Sequence, residues 1–214
     1  MKITIALTLF FVSLGISISN AQLIRAYGLK LGYVKAEQRW YYTPQSGLDG
    51  SWIKPIWGLD AGAFVEFFND PNFSLLTEVH YLQKGRSLSV VTTERADNGL
   101  GFIEAGQQEV KQRFEYISIP VLARLCIDGQ TLVPFVAAGP SFEYLTSYPA
   151  SPTFDRFNKT ELALVFSAGV ELSVGITPKL LAECRYNLGL TNTYKNEFVA
   201  VDNRVLEFLL GVAF

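Results

Sequence analysis

The feature that most constrains this chain is a strict alternation of apolar and polar residues, repeated in separate stretches along its length. In YGLKLGYVK (27–35), Tyr27, Leu29, Leu31 and Tyr33 share one face, and Gly28, Lys30 and Gly32 share the other. In WGLDAGAFVEFF (57–68), Leu59, Ala61, Ala63, Val65 and Phe67 alternate with Gly58, Asp60, Gly62, Phe64 and Glu66. In FSLLTEVHYLQKG (73–85), Phe73, Leu75, Val79 and Tyr81 oppose Ser74, Glu78, His80 and Lys84. Side chains leave a pleated strand on opposite sides in turn, so this period marks strands with one greasy and one polar face. A helix could not hold either face together.

The pattern recurs toward the C-terminus. Ile117, Ile119, Val121 and Leu125 oppose Tyr116, Ser118 and Arg124. Residues 132–145 and 161–173, which carries Glu171, read the same way less cleanly. In AECRYNLGL (182–190), Glu183, Arg185 and Asn187 lie opposite Ala182, Cys184, Tyr186 and Leu188. The chain closes on Leu206, Phe208, Leu210, Val212 and Phe214, one unbroken apolar row. Eight strands result, each about as long as a tilted strand needs to cross a bilayer.

Their connections alternate in length. Residues 69–72, 127–131 and 174–178 are tight turns, and 36–56, 85–112, 146–160 and 192–203 are long connections. An antiparallel meander does this when its two ends face different compartments, as in outer-membrane barrels with short periplasmic turns and long external loops. An open sheet edge is excluded in lipid, because each unpaired backbone group costs several kcal/mol. The expected fold is therefore all-β, an eight-stranded antiparallel up-and-down transmembrane β-barrel. The competing arrangement is a soluble lipocalin-type barrel with the apolar face inward. It accounts less well for the unequal connections and the aromatic C-terminus.

The N-terminus fits export to the envelope. Lys2 precedes an apolar run at 3–18, and Ser19 and Ala21 supply the small residues of a cleavage site. A signal peptide over 1–21 and a barrel domain over 22–214 follow. The net charge of −2 gives no argument for nucleic acid. Cys126 and Cys184 fall on opposite faces of non-neighbouring strands, which argues against pairing them.

With the apolar rows in lipid, Lys30, Asp60, Glu66, Glu78, His80, Lys84, Arg124, Glu171, Glu183 and Arg185 point into a narrow lumen. Eight strands enclose only enough space for side chains, so opposite charges there are expected to form a plug of salt bridges. His80 is the sole histidine. Ser118 is the nucleophile it would need for hydrolysis, but a hydrogen-bonded His in a polar network is the expected role. Metal binding would need a Cys/His cluster, and none occurs. No cofactor and no catalytic residue are expected. The first long connection carries Trp40, Tyr41 and Trp52 as external aromatics, with Tyr42 and Trp57 at the membrane girdle.

The phrases GLKLG (28–32), LTEVHYLQKG (76–85), YISIPVLARL (116–125), PFVAAGPSFEYL (134–145), AGVEL (168–172) and RYNLGLTN (185–192) carry a resemblance to the PorT-like outer-membrane β-barrel family of Bacteroidetes. It spans most of the mature chain. The resemblance implies an outer-membrane barrel whose terminal aromatics, Phe208 and Phe214, are read by the barrel-insertion machinery. It implies a structural or interaction role, in protein secretion or envelope integrity, and no single activity. The expected partners are outer-membrane lipid, that machinery and a protein met by the external loops. A small lipid-modifying or lipid-binding barrel is the alternative.

Overall fold

The computed structural model describes residues 23–42, 53–68, 70–95, 102–127, 129, 131–149, 157–173, 178–195, 197 and 199–214. The signal-peptide segment and Trp52 lie outside them. The strands are β1 (Ile24–Tyr42), β2 (Ile53–Lys54), β3 (Ile56–Phe67), β4 (Phe73–Arg95), β5 (Phe102–Cys126), β6 (Leu132–Ser147), β7 (Thr160–Leu172), β8 (Lys179–Gly189), β9 (Tyr194–Lys195) and β10 (Val199–Ala213).

Eight of these form a ring in chain order, every neighbouring pair antiparallel, and β1 pairs with β10 from Gly28↔Ala213 to Tyr42↔Val199. The two-residue strands β2 and β9 attach to β4 and β10. At the seam, Phe214 N donates to Tyr27 O at 2.8 Å and Tyr27 N donates to Phe214 O at 3.1 Å. The ring leaves neither first nor last strand with a free edge, which a lipid environment demands.

The alternation sets which side faces out. Outward residues form a belt free of charge from Tyr27, Phe73, Leu125 and Phe214 at one end to Tyr33, Trp57, Tyr81 and Tyr144 at the other. Leu29, Leu31, Val136, Leu180 and Leu210 are among its exposed members. Burial in water would not leave such a surface bare, whereas lipid covers it. Aromatic rings at both rims match the interfacial girdles of membrane barrels. Charge returns directly above the upper rim, at Lys35 and Glu115. Both cysteines are free, Cys126 buried and Cys184 exposed on the outer face.

Strand extends well into the expected long connections. Residues 85–112 continue β4 and β5 as one hairpin, in register from Gly85↔Arg113 to Arg95↔Phe102 with one shift. Residues 36–42 continue β1 against β10. The antiparallel ladder goes on above the bilayer because its backbone bonds remain satisfied there. Its outer face turns polar at Lys111, Arg113 and Glu115, which erases the alternation that announces a strand.

Candidate functional site: the polar lumen

Inward positions on the ring hold the charges, so each lumen group is placed by a strand whose opposite face is fixed in lipid. All ten expected lumen residues are buried. They assemble into three ionic layers along the barrel.

Nearest the tight turns, the Arg124 guanidinium spans Glu66 (3.0 Å) and Glu171 (2.8 Å) and lies on the Phe135 ring, 4.1 Å from its centroid. At the rim, Lys179 reaches Glu171 at 2.7 Å and Arg25 reaches Glu66 at 3.4 Å. Gly169 leaves room for this stack, because a Cβ there would sit 2.5 Å from Phe135 Cζ.

In the middle layer, Lys30 Nζ donates to Glu78 and to Glu183, each at 2.6 Å. Arg185 meets the same two carboxylates at 2.7 and 2.8 Å and approaches Glu207 at 3.7 Å. Cations and anions thus alternate around a square, each charge with two opposite neighbours. His80 stands between Asp60 (Nδ1, 2.5 Å) and Glu78 (Nε2, 3.2 Å). Its ring rests on Gly62, where a Cβ would come within 2.5 Å of Cγ.

In the upper layer, Lys84 Nζ bonds Glu143 and lies 3.4 Å from Glu161. Asn187 donates to Glu143 (2.7 Å), and Asn203 donates to Glu161 (2.8 Å) and to Thr193 (2.9 Å). Lys84 also sits over the Tyr116 ring, 4.9 Å from its centroid. Above this, Arg86 stacks on Trp40 at 3.9 Å and donates from Nε to Gln112 at 2.8 Å. Trp40 is therefore not an external loop aromatic. It points into the barrel mouth and is buried. It sits on the inward parity of β1, where an indole covers a guanidinium better than it meets water. Tyr41, next along the strand, is exposed on the outer wall.

Between the ionic layers the lumen is filled by side chains such as Phe64, Leu76, Leu122 and Leu181 below and Val34, Leu82, Phe114 and Val205 above. Sequence reasoning missed four charged lumen members: Arg86, Glu143, Glu161 and Glu207. Each lies on the inward parity of its strand. Glu143 stands between Phe142 and Tyr144, and Glu207 between Leu206 and Phe208, so extending the alternation through the apolar rows would have found both.

The Ser–His pairing needed for hydrolysis is not made. His80 and Ser118 face each other across β4 and β5. Yet both ring nitrogens of His80 are engaged by carboxylates, and Ser118 Oγ bonds Ser141 Oγ at 2.8 Å. Among the described residues no group of three or more His, Cys, Asp and Glu is placed to hold a metal. Phe208 is exposed midway up the outer wall, and Phe214 stacks on Tyr27 with ring centroids 6.0 Å apart.

A closed ring of strands, an apolar outer belt with aromatic rims and a charged interior together define a transmembrane barrel of the outer membrane. The profile of the outer membrane protein beta-barrel domain matches residues 12–195, and the chain belongs to that family. Neisserial surface protein A is similar to it with a TM-score of 0.50 and 16% identity, over 88% of this chain and 97% of that one. OprG of Pseudomonas aeruginosa is similar with a TM-score of 0.53 and 8% identity, over 88% and 95%. The outer-membrane protease OmpT of Escherichia coli gives a TM-score of 0.47 and 10% identity, over 93% and 99%. The first two likenesses, at these identities, show the fold alone and assign no activity. No curated protein sequence matches the chain significantly.

Proposed function

We propose that this protein is a rigid, non-conducting and non-enzymatic outer-membrane anchor whose external hairpins engage a protein partner, in a PorT-like role in secretion or envelope integrity. One observation carries the reading: the lumen is crossed by three ionic layers with packed side chains between them. A bore filled this way leaves no aqueous path and no cleft for a substrate. A buried pair broken on one side costs about 3–5 kcal/mol, so the layers also resist opening. What remains for contact is the external end, where β4 and β5 rise as a paired hairpin. In this role residues 1–21 serve as the export signal, and the insertion machinery reads Phe208 and Phe214.

The test has two arms. In planar bilayers the full chain is expected to give no discrete conductance steps, and stepwise current would sink the plugged-lumen reading. In cells, deletion of residues 88–109 is expected to leave a barrel that still shifts in gel mobility on heating while abolishing recovery of a cross-linked protein partner. The same partner recovered at the same yield would remove the hairpin from the proposal.

A further inference from the structure

The outer wall carries a feature that neither the lumen nor the hairpins use. Across β8, β10 and β1 runs an apolar groove of about 780 Å³, with small Ala182 and Cys184 beside the larger Leu31, Tyr33, Phe208 and Leu210. Directly above it, one residue pair further along each strand, lies a smaller hollow of about 170 Å³ that includes Lys35, Tyr186, Arg204 and Leu206. The two are continuous through the outward rows of the same three strands: Tyr33 to Lys35 on β1, Cys184 to Tyr186 on β8, and Phe208 through Leu206 to Arg204 on β10.

The chemistry changes abruptly at that step. Below it every outward residue on these strands is uncharged; at it, two cations face the membrane surface. Lys35 pairs with no carboxylate among the described residues, being flanked in register by Trp57 and Leu206. Arg204 hydrogen-bonds Tyr186, which lines the same hollow, and its Nε lies 3.9 Å from Asp202 Oδ2. Glu37 also lines the hollow, and its carboxylate faces Arg39 Nε at 3.6 Å. A lysine with no carboxylate partner and an arginine held only loosely by one, side by side at an aromatic rim, suit a phosphate. The short turns and the Tyr27–Phe214 seam mark the opposite, periplasmic end, so this rim belongs to the outer leaflet.

We infer that this seam is a specific seat for a phosphate-bearing lipid of the outer leaflet, its phosphate held by Lys35 and Arg204 and an acyl chain laid over Ala182 and Cys184. An apolar groove alone would take any chain, and two surface cations alone would take any anion. Their alignment on one path selects a molecule with both parts, joined in that order. Such a lipid would also brace β1 against β10, the closing pair of the barrel.

The full chain, purified in mild detergent, is titrated in native mass spectrometry with bisphosphorylated lipid A, with the same glycolipid stripped of its phosphates, and with phosphatidylethanolamine. The expected result is one bisphosphorylated molecule retained in preference to both others. The double variant K35E/R204E should weaken retention about tenfold or more, and K35R/R204K should keep it. Ala182→Trp, which fills the groove, should weaken binding with the cations intact, and its heat-dependent gel shift shows whether the barrel has folded. Equal retention of all three lipids, or no loss in K35E/R204E, would reduce the seam to ordinary lipid contact and overturn the proposal. A dimer joined through Cys184 in native membranes, formed at the expense of lipid, would assign the groove to a second copy instead.

Discussion

Arg185 is the residue on which the middle layer turns. It meets Glu78, Glu183 and Glu207 with its side chain 3% exposed, so nothing but Lys30 and His80 remains to face those carboxylates once it is gone. Replacing it by Met should cost about 3–5 kcal/mol, the loss typical of one partner removed from a buried pair. Urea unfolding of refolded protein in detergent measures this, and a loss below about 1 kcal/mol would mean that water enters and screens the layer. Gly62 makes a second case. An alanine there meets the His80 ring, and overpacking of this kind costs about 1–3 kcal/mol. Pairing Gly62→Ala with His80→Ala should return part of that loss, because residues in contact do not add. Strict additivity in the four-variant cycle would show that the ring does not rest on Gly62.

At the scale of the strand, β10 does two things at once. Its inward row supplies Glu207 and Asn203 to the lumen layers, and its outward row ends on Phe214 at the seam. Deleting Phe214 removes one aromatic stacked on Tyr27 and two backbone hydrogen bonds. The apolar part of that loss is about 1.5–3 kcal/mol, which a closed barrel can survive. Insertion should suffer more than stability if the terminal aromatic is an assembly signal. Outer-membrane yield in cells, set beside the unfolding free energy of refolded protein, separates the two. Normal yield would discard the signal, and parallel losses would leave packing as the whole effect.

The molecule as a whole is an inverted object, with charge inside and apolar surface outside. Eight buried carboxylates (Asp60, Glu66, Glu78, Glu143, Glu161, Glu171, Glu183 and Glu207) share the interior with Lys30, Lys84, Arg86, Arg124, Arg185 and His80. Ions in solution screen exposed charges over a distance of about 8 Å at physiological strength, so that those farther apart hardly interact, and they reach buried pairs far less. Raising salt from about 0.1 to 1 M should therefore leave the temperature of the gel-mobility shift nearly unchanged. A fall of many degrees would place solvent and ions among the layers.

Alternation by itself determined the strand faces: Leu29 and Leu31 outward, Lys30 inward, and the same through Glu183, Cys184 and Arg185. Because a side chain's face follows from parity alone, the ten lumen residues were legible without any knowledge of their partners. The unequal connections and the apolar C-terminal row were enough for a closed membrane barrel. What parity cannot give is height. Only the register between strands brings Lys30 of β1 level with Glu78 of β4 and Glu183 of β8, and sends Arg124 to a different layer with Glu66 and Glu171. The shear of the closed sheet, not the sequence of any one strand, sets those meetings. It also brought Trp40, inward by parity, level with Arg86, 46 positions away in the chain and beyond the reach of any local pattern.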